Sequence, residues 1–266
     1  MEERYVLTEY TVPADFPHKL TLALVTDLHE REPKRVLELV RKANPDLIMV
    51  AGDTFERNRQ GEDPRRKEDY GTVSRLMHKS LMWLDDLFER TGRQRSYCAE
   101  YAYRFLKEAR EIAPVFMSRG NHEWYLLRED TKAIQAADTV LLDNQDCTVA
   151  AKGIWLRIGG LSSAIDWDWL EEYSKKDGYK ILLCHHPEYY ERYLRDKNLN
   201  LILSGHAHGG QIRIFGHGIF SPGQGMLPRY TKGVYDGKLV VSAGCANTAS
   251  VPRFGNPCEV VAVHLG

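Results

Sequence analysis

Short apolar runs predict the strands of this chain, and the spacing of apolar residues between them predicts its helices. Residues 20–26, 47–51 and 114–118 are continuous apolar runs, which are typical of strands covered on both faces. Between the first two runs, apolar residues recur at helical spacing from Pro33 until Pro45 ends the helix. A further helix is predicted for residues 124–137. The first part of the chain therefore alternates strands and helices.

The second half of the chain is richer in strands. A helix is predicted at residues 166–173, and strands are predicted at residues 140–142, 148–150, 154–161, 180–184, 201–204, 211–215, 238–243 and 260–264. Early alternation followed by strand enrichment predicts a mixed α/β fold, in which two mixed sheets pack face to face with helices outside.

Residues 55–113 interrupt this pattern. The first part, ERNRQGEDPRRKED, is charged and lacks periodicity, which predicts an exposed and mobile loop. The apolar residues beyond it form two helical faces: Val73, Leu76, Met77, Leu84, Leu87 and Phe88, then Tyr97, Tyr101, Phe105, Ala109 and Ile112. We predict a helical pair that packs on the core. The alternatives are a lid over a cleft and the interface of a homo-oligomer.

Composition limits the partners and the compartment of the protein. The 266 residues contain 36 Lys+Arg and 37 Asp+Glu, so no global field attracts nucleic acid or anionic lipid. The five cysteines are scattered, with no C-x-x-C pair, which favours reduced thiols over disulfides or a zinc knuckle. Without an export signal or an apolar stretch long enough to span a membrane, we expect a cytoplasmic protein.

Clusters of polar side chains directly follow five of the predicted strands. The members of these clusters that can bind a metal ion are Asp27, His29, Asp53, Asn121, His185, His206 and His208. Because α/β proteins bind ligands outside the carboxyl ends of their strands, we expect these side chains to converge on one cleft. Oxygen and nitrogen ligands without sulfur suit hard or borderline divalent cations. Seven ligands exceed one tetrahedral site, which favours two ions sharing a bridging ligand.

The spacing within two clusters supports metal chelation. Alternate residues of a strand point the same way, so Asp27 and His29 can bind one ion, whereas His206 and His208 can bind the same ion or different ones. Two divalent ions roughly 3.5–4 Å apart are the arrangement used for in-line displacement at phosphorus. Each motif alone is weak, but all five in this order are specific.

The ordered motifs D-x-H, G-D, G-N-H-E, H-H-P and G-H-x-H resemble those of the calcineurin-like metallophosphoesterase superfamily. The segments GHAHGGQIRIFGHGIFSPGQG and RYTKGVYDGKLVVSAGCANT look most like the bacterial branch related to the YkuE and YaeI phosphoesterases. The resemblance covers residues 20–265 and implies a four-layer α/β/β/α sandwich with a dinuclear metal centre. We therefore expect residues 1–266 to form one such domain, with a helical insert at about 55–113.

The resemblance also implies a role for each motif residue. One ion is expected on Asp27, His29 and His208, the second on Asn121, His185 and His206, with Asp53 bridging the two. The implied acid for the leaving oxygen is His122, with Glu123 orienting its imidazole. No role is assigned to His186, and Arg119 is expected to meet either a phosphate oxygen or a surface carboxylate.

Three departures limit the comparison with that bacterial branch. Glu30 and Arg31 follow the first motif where family members often carry a small residue or glycine, and the segment between Asp53 and Asn121 is longer than usual. The membrane anchor or export signal that often opens such chains is not expected here. A lipid or envelope substrate is therefore less expected.

The resulting prediction is a metal-dependent phosphoesterase that hydrolyses a small-molecule phosphate monoester or diester. A metal-bridging hydroxide is expected to attack directly, without a covalent enzyme intermediate. Manganese is the expected metal by resemblance, and iron or zinc also suits the ligands. The alternatives are a pyrophosphatase acting on a nucleotide-linked lipid precursor, and a non-catalytic metal-binding scaffold for a protein partner.

Overall fold

The computed structural model describes residues 4–57, 98–221, 223–247 and 252–266. Its α-helices in this part of the chain are α1 Lys34–Ala43, α2 Ala99–Arg110, α3 Arg128–Ala136 and α4 Trp167–Lys175. Its strands are β1 Tyr5–Val12, β2 Leu20–Val25, β3 Leu47–Ala51, β4 Val115–Ser118, β5 Val140–Leu142, β6 Gln145–Ala151, β7 Ile154–Leu161, β8 Tyr179–Cys184, β9 Leu201–Ser204, β10 Arg213–Ile214, β11 His217–Gly218, β12 Phe220–Ser221, β13 Gly225–Met226, β14 Gly233–Tyr235, β15 Leu239–Val241 and β16 Cys258–Leu265.

Two six-stranded mixed sheets form the frame of the molecule. The first has the order β1-β16-β2-β3-β4-β5, in which β2, β3, β4 and β5 are parallel and β16 runs antiparallel to β2. The second has the order β14-β15-β9-β8-β7-β6, in which β15, β9, β8 and β7 are parallel. The carboxyl ends of these parallel strands define the edge where ligand sites form in such folds.

Three apolar layers hold the sheets and helices together. Alternate residues of each strand face opposite sides, so Leu22 packs between the sheets whereas Ala23 faces α1 and α2. In the second sheet, Ile181 faces the first sheet and Leu182 packs on the outer side, with Tyr173 of α4. The predicted arrangement of two mixed sheets flanked by helices is confirmed.

Most predicted elements are present, but the short strands β11, β12, β13 and β14 were not predicted, and three other elements differ. The edge strand β1 was not predicted because its half-exposed polar positions break the apolar pattern. Helix α3 begins at Arg128 rather than residue 124, since the Asp130 carboxylate accepts a hydrogen bond from the Leu127 N–H at the helix start. The strand predicted at 211–215 is only the two-residue β10, and Phe215 lies in the turn that follows it.

The predicted insert is described only at its two ends. The second predicted helix is α2, which packs Phe105 and Ala109 into the core, while the first lies outside the described residues. At the other end, the expectation of an exposed loop was wrong for Arg57, which is buried. Its guanidinium binds Asp130 through two hydrogen bonds of 2.6 Å and Glu30 through one of 2.5 Å. The carboxylates of Asp130 and Glu30 stabilise the positive charge of Arg57 in this buried position. The one-domain assignment stays a prediction.

Candidate metal centre

The loops after five parallel strands meet at one edge of the two sheets. The loop after β2 runs beside the loop after β3, where the N–H groups of Asp27 and His29 donate to the carbonyls of Gly52 and Asp53. In the second sheet, the Gly205 N–H donates to the His185 carbonyl. The parallel pairing therefore continues past the strand ends and carries the predicted ligands into one region.

The backbone of these loops turns sharply at the predicted ligands. Asp27, His29, Asp53, His206 and His208 all have positive φ, between 45° and 64°. Residues with a Cβ rarely adopt this left-handed region, and such strain clusters at functional sites. The strand-like spacing argument for Asp27 and His29 was wrong, because both lie beyond β2 and a left-handed turn brings their side chains together.

Asp27, His29 and His208 form the first group of side chains. The Asp27 Oδ1 atom lies 3.8 Å from His29 Nε2 and 3.6 Å from His208 Nε2. Their ligand atoms all lie within 4.8 Å of one another, as a shared cation requires. The side chain of Asp27 is fully buried and also accepts hydrogen bonds from the His206 N–H.

Asp53, His185 and His206 form the second group, which adjoins the first. The Asp53 Oδ2 atom lies 2.9 Å from His185 Nε2 and 3.8 Å from His29 Nε2, so this carboxylate stands between the groups. The Nδ1 atom of His185 lies 2.7 Å from the Ala51 carbonyl, which leaves Nε2 facing Asp53. Asp53 therefore lies beside side chains of both groups, and with His29 and His122 it forms another group of potential ligands.

Three buried polar atoms of this cluster fit a cation. Among the described residues, His29 Nε2, His185 Nε2 and Asp53 Oδ2 have no hydrogen-bond partner, although they face one another. Buried polar atoms nearly always have a partner, and such exceptions need an explanation such as an ion. The donor set of imidazole nitrogens and carboxylate oxygens suits Zn²⁺, Mn²⁺ or Fe²⁺.

The G-N-H-E motif forms a short 3-10 turn, Asn121–Glu123, on the same side of the cluster. Asn121 opens this turn beside His122, whose N–H donates to Asp53 Oδ1 at 2.9 Å. The His122 imidazole is partly exposed, with Nε2 at 4.0 Å from Asp53 Oδ2. It thus borders the cluster and is open to the solvent.

The expectation that Glu123 orients His122 was wrong. The fully buried Glu123 carboxylate accepts four backbone hydrogen bonds, from the N–H groups of Asp53, Thr54, Phe55 and Gly120. These bonds tie the loop after β3 to the loop after β4. The His122 imidazole contacts Glu56 instead, because the four N–H donors occupy both oxygens of Glu123.

Glu56 links the two parts of the site, and sequence reasoning missed it. Its Oε1 atom lies 2.6 Å from His29 Nδ1, and its Oε2 atom lies 2.8 Å from His122 Nδ1. The available signal was a carboxylate three residues after Asp53, but it opens a charged run that predicts an exposed loop. The bonds fix both ring orientations and leave the Nε2 atoms toward the cleft.

Glu188 and Arg253 are two more polar neighbours that the sequence did not assign. Glu188 Oε1 lies 3.1 Å from His186 Nδ1 and 3.7 Å from His206 Nε2, and these three residues form a further group of potential ligands. The Arg253 guanidinium lies 3.2 Å from His208 Nδ1. The contacts to His206 and His208 come from segments distant in sequence, so no local pattern predicts them.

Arg119 pairs with a carboxylate, which is one of the two alternatives that the sequence left open. Its Nη1 lies 2.6 Å from Asp143 Oδ2, and its Nε donates to the Glu123 carbonyl at 2.8 Å. These bonds brace the turn that carries His122. A phosphate contact of Arg119 stays a prediction.

Buried carboxylates dominate the electrostatics of the cluster. Burial alone lowers the pKa of His29, but Asp27, Glu56 and Asp53 outweigh it and raise the pKa of His29 to about 10. Burial likewise lowers the pKa of His185, yet Asp53 and Asp27 raise it to about 9. The carboxylates thus create a negative potential that favours cations.

The pKa of His208 is shifted in the opposite direction, below its usual value. Burial lowers its pKa to about 3 despite the neighbouring carboxylate of Asp27, and the charge of Arg253 adds to the decrease. A neutral imidazole retains a lone pair, which is the form that binds a metal ion.

Two glycines permit the close approach of these loops. A Cβ atom on Gly120 would lie 2.1 Å from Asp53 Oδ1, and one on Gly205 would lie 2.5 Å from Asp27 Oδ2. Both values are far below any real contact, so any side chain here would displace a predicted ligand.

The family model of the calcineurin-like phosphoesterases matches residues 20–210, which include every predicted ligand and both members of the H-x-H motif. The chain belongs to the calcineurin-like phosphoesterase family. It is accordingly a metal-dependent phosphoester hydrolase. The predicted family is confirmed, while the bacterial branch stays a prediction.

Individual proteins resemble this chain only at low sequence identity. The uncharacterized protein YpbG of Bacillus subtilis (strain 168) is 25% identical over 252 residues, which cover 92% of this chain and 81% of YpbG. The 5'-nucleotidase precursor from Thermus thermophilus is 16% identical, with a TM-score of 0.47 over 93% of this chain. This chain spans 54% of that nucleotidase.

Another solved structure that resembles this chain is that of the phosphopantetheinyl hydrolase (PptH) from Mycobacterium tuberculosis, with 12% identity and a TM-score of 0.41. The match covers 86% of this chain and 88% of that protein. The family assignment rests on the matched family model and not on these structural likenesses. Within the described ranges, no helix is long and apolar enough to cross a membrane.

Proposed function

We propose that the cluster holds two divalent cations and hydrolyses a small phosphate monoester or diester. The proposed ligands of one ion are Asp27, His29 and His208, those of the other are Asn121, His185 and His206, and the bridging ligand is Asp53. The observation that carries the proposal is the position of the Asp53 carboxylate. It lies between His29 Nε2 and His185 Nε2, and these three buried atoms lack hydrogen-bond partners among the described residues.

The chemistry of the ligands supports this function. When bound, two divalent cations lower the pKa of coordinated water and neutralise the oxygens of a phosphate group, which allows direct displacement at phosphorus. The chain itself orients the ligands, through Glu56 on His29 and the Ala51 carbonyl on His185. Manganese is the metal we propose first, and iron or zinc suits the same donors.

We propose His122 as the proton donor to the leaving oxygen. Its Nδ1 atom is held by Glu56, so Nε2, the atom that would deliver the proton, faces the cleft at the edge of the cluster. The side chain is 29% exposed, which allows a substrate oxygen to reach it and solvent to restore the proton. We propose that Glu123 acts by holding the ligand loops together rather than through the imidazole.

Metal counting and turnover test the proposal together. The native protein, Asp53→Ala and the control Glu38→Ala are loaded with Mn²⁺ and desalted, and the bound ions are counted by elemental analysis. Glu38 is a suitable control because its carboxylate is exposed on α1 and pairs with Arg35 of the same helix. We expect two ions per chain in the native protein and the control, and none in Asp53→Ala.

Two outcomes would contradict specific parts of the proposal. A native protein that never holds more than one ion would rule out the dinuclear centre, and two ions in Asp53→Ala would rule out the bridge. Turnover of p-nitrophenyl phosphate and of its bis-ester then separates monoesterase from diesterase activity. The pyrophosphatase, the oligomer through the insert and the cytoplasmic location stay predictions.

A further inference from the structure

Most of the exposed large apolar side chains lie in segments that follow the carboxyl ends of the parallel strands, the edge of the sheets where the candidate metal centre lies. Twelve such residues are exposed in the described part of the chain, and ten lie in segments that follow the carboxyl ends of the parallel strands: Trp124, Tyr125, Leu127, Trp167, Tyr193, Ile214, Phe215, Met226, Leu227 and Phe254. The other two, Val140 and Trp155, lie at the starts of β5 and β7, on the opposite edge. Single exposed apolar residues are ordinary, but this concentration on one side is not.

Five of these residues form what we call the apolar rim: Ile214, Phe215, Met226, Leu227 and Phe254. The rim begins just after His208, in the hairpins β10–β11 and β12–β13. Backbone bonds join its parts, since the Arg213 N–H donates to the Phe254 carbonyl and the Leu227 N–H to the Ile219 carbonyl. The rim is therefore one built surface and not a set of separate loops.

The backbone holds two rim residues outward in a strained conformation. Phe215 lies in the turn between β10 and β11 with φ of 50°, and its side chain is 99% exposed. Leu227, directly after β13, also has φ of 50° and is 75% exposed. Tight turns of this kind favour Asn or Gly, which adopt positive φ with little strain. Water-exposed Phe and Leu at these positions are unfavourable on both counts, which points to a function.

All the Lys, Arg, Asp or Glu side chains within the segment that carries most of the rim are basic. Residues 209–235 contain no Asp or Glu, although the chain has 37 of them in 266 residues. Arg213, Arg229 and Lys232 lie in the same segment. Arg229 pairs with Glu191 and Lys232 with Glu259, whereas no carboxylate among the described residues forms an ion pair with Arg213. The rim therefore carries its apolar tips beside Arg213 and the exposed Arg229, while the carboxylates of Glu191 and Glu259 offset the charges of Arg229 and Lys232.

We propose that the apolar rim docks the protein on an anionic lipid surface, with Phe215 and Leu227 inserted below the headgroups. Protruding aromatic and leucine side chains beside basic residues are the usual means of interfacial binding without a membrane-spanning helix. A flat face would suit a second copy of the chain better than two projecting tips. Docking on this side turns the mouth of the metal centre toward the lipid headgroups.

Vesicle sedimentation tests the docking without any turnover. The native protein as purified is centrifuged with vesicles of phosphatidylglycerol and phosphatidylcholine in equal amounts, beside the double variant Phe215→Ser/Leu227→Ser. The matched control is Trp155→Ser, which removes a side chain that is 70% exposed at the far edge. We expect the native protein and the control to sediment with the vesicles. The double variant should lose roughly tenfold or more of its partition coefficient.

A second variant separates docking from folding. Phe215→Asn places a residue that tolerates positive φ in the turn, so we expect its Tm to rise while vesicle binding falls. Native protein that does not sediment, or a double variant that sediments equally well, would overturn the proposal. So would a native dimer in light scattering that the double variant converts to a monomer without any vesicle binding. Since no assay here uses hydrolysis, these outcomes leave the proposed phosphoesterase activity untouched.

Discussion

Glu56→Gln is the most informative single substitution in the site. The native carboxylate binds two imidazoles at once, His29 through Oε1 at 2.6 Å and His122 through Oε2 at 2.8 Å. Glutamine has nearly the same shape but keeps only one acceptor oxygen, and it presents an NH₂ group to the other ring. One of the two hydrogen bonds is therefore lost without creating a cavity.

We expect the hydrogen bond to His122, and not the one to His29, to be lost. The bond to His29 is the shorter one, and the His29 side chain is fully buried, so its Nδ1 has no access to water as an alternative acceptor. The His122 ring is 29% exposed, so water can take the place of the lost partner there. A hydrogen bond to a charged group contributes about 1.5–3 kcal/mol. If that contribution orients the proton donor, its loss lowers turnover about 10–150-fold.

The assay compares two leaving groups at saturating Mn²⁺. An alkyl phosphoester needs protonation of its leaving oxygen, whereas p-nitrophenolate leaves with little assistance, so the defect should be larger for the alkyl ester. Bound metal is counted in the same samples and should stay at the native value. Glu32→Gln serves as the control, because this carboxylate is exposed and pairs with Arg104 at the surface.

Two results would refute the reasoning. Turnover of the alkyl ester within about threefold of the native value would show that the bond to Glu56 does not orient the proton donor. Equal defects for both leaving groups, together with loss of bound metal, would show that Glu56 acts through His29 as a support of the metal ligand instead.

Three further substitutions test other parts of the structure. His122→Ala should keep its bound metal but lose at least about 100-fold in turnover of alkyl phosphoesters, measured by released phosphate. Gly120→Ala should bind less metal by elemental analysis, because the new Cβ would lie 2.1 Å from Asp53 Oδ1. Asp146→Asn should reduce the free energy of unfolding at pH 7 by about 1–2 kcal/mol, since this largely buried carboxylate pairs with Arg157 at 2.9 Å.

The last variant also has a defined pH dependence. Burial raises the pKa of Asp146, but the hydrogen bonds from Lys176 and Arg157 outweigh it and hold the folded-state pKa below the usual range. The contribution is therefore complete above the pKa of the unfolded chain, about pH 4, and is lost as the pH falls further. Urea denaturation at pH 7 and pH 3 should show a difference in the free energy of unfolding between native and variant that is smaller at the lower pH. A difference independent of pH would contradict this, as would full alkyl-ester turnover in His122→Ala or native metal content in Gly120→Ala.

The local sequence pattern determined where the main strands of this protein lie. The strands β3, β7 and β9 have the predicted bounds. The clearest case is β3, because a strand buried on both faces is apolar throughout. The seven predicted ligands follow strands, and six of them, including Asp53, form two adjoining groups in space. Proximity was predictable for a simple reason: parallel strands bring their carboxyl ends to one edge, whatever the distance along the chain.

Tertiary structure decided which side chains serve these ligands. Glu56 and Arg57 open a charged run that resembles a solvated loop, yet the partners that bury them come from remote segments, such as His122 and Asp130. Conversely, Glu123 lies beside His122 in sequence but is turned away to hold four backbone N–H groups. A sequence pattern records the periodicity of an element, which governs the strand ends. The same pattern does not indicate which loops lie next to each other. The contacts between loops are therefore known only from the tertiary structure.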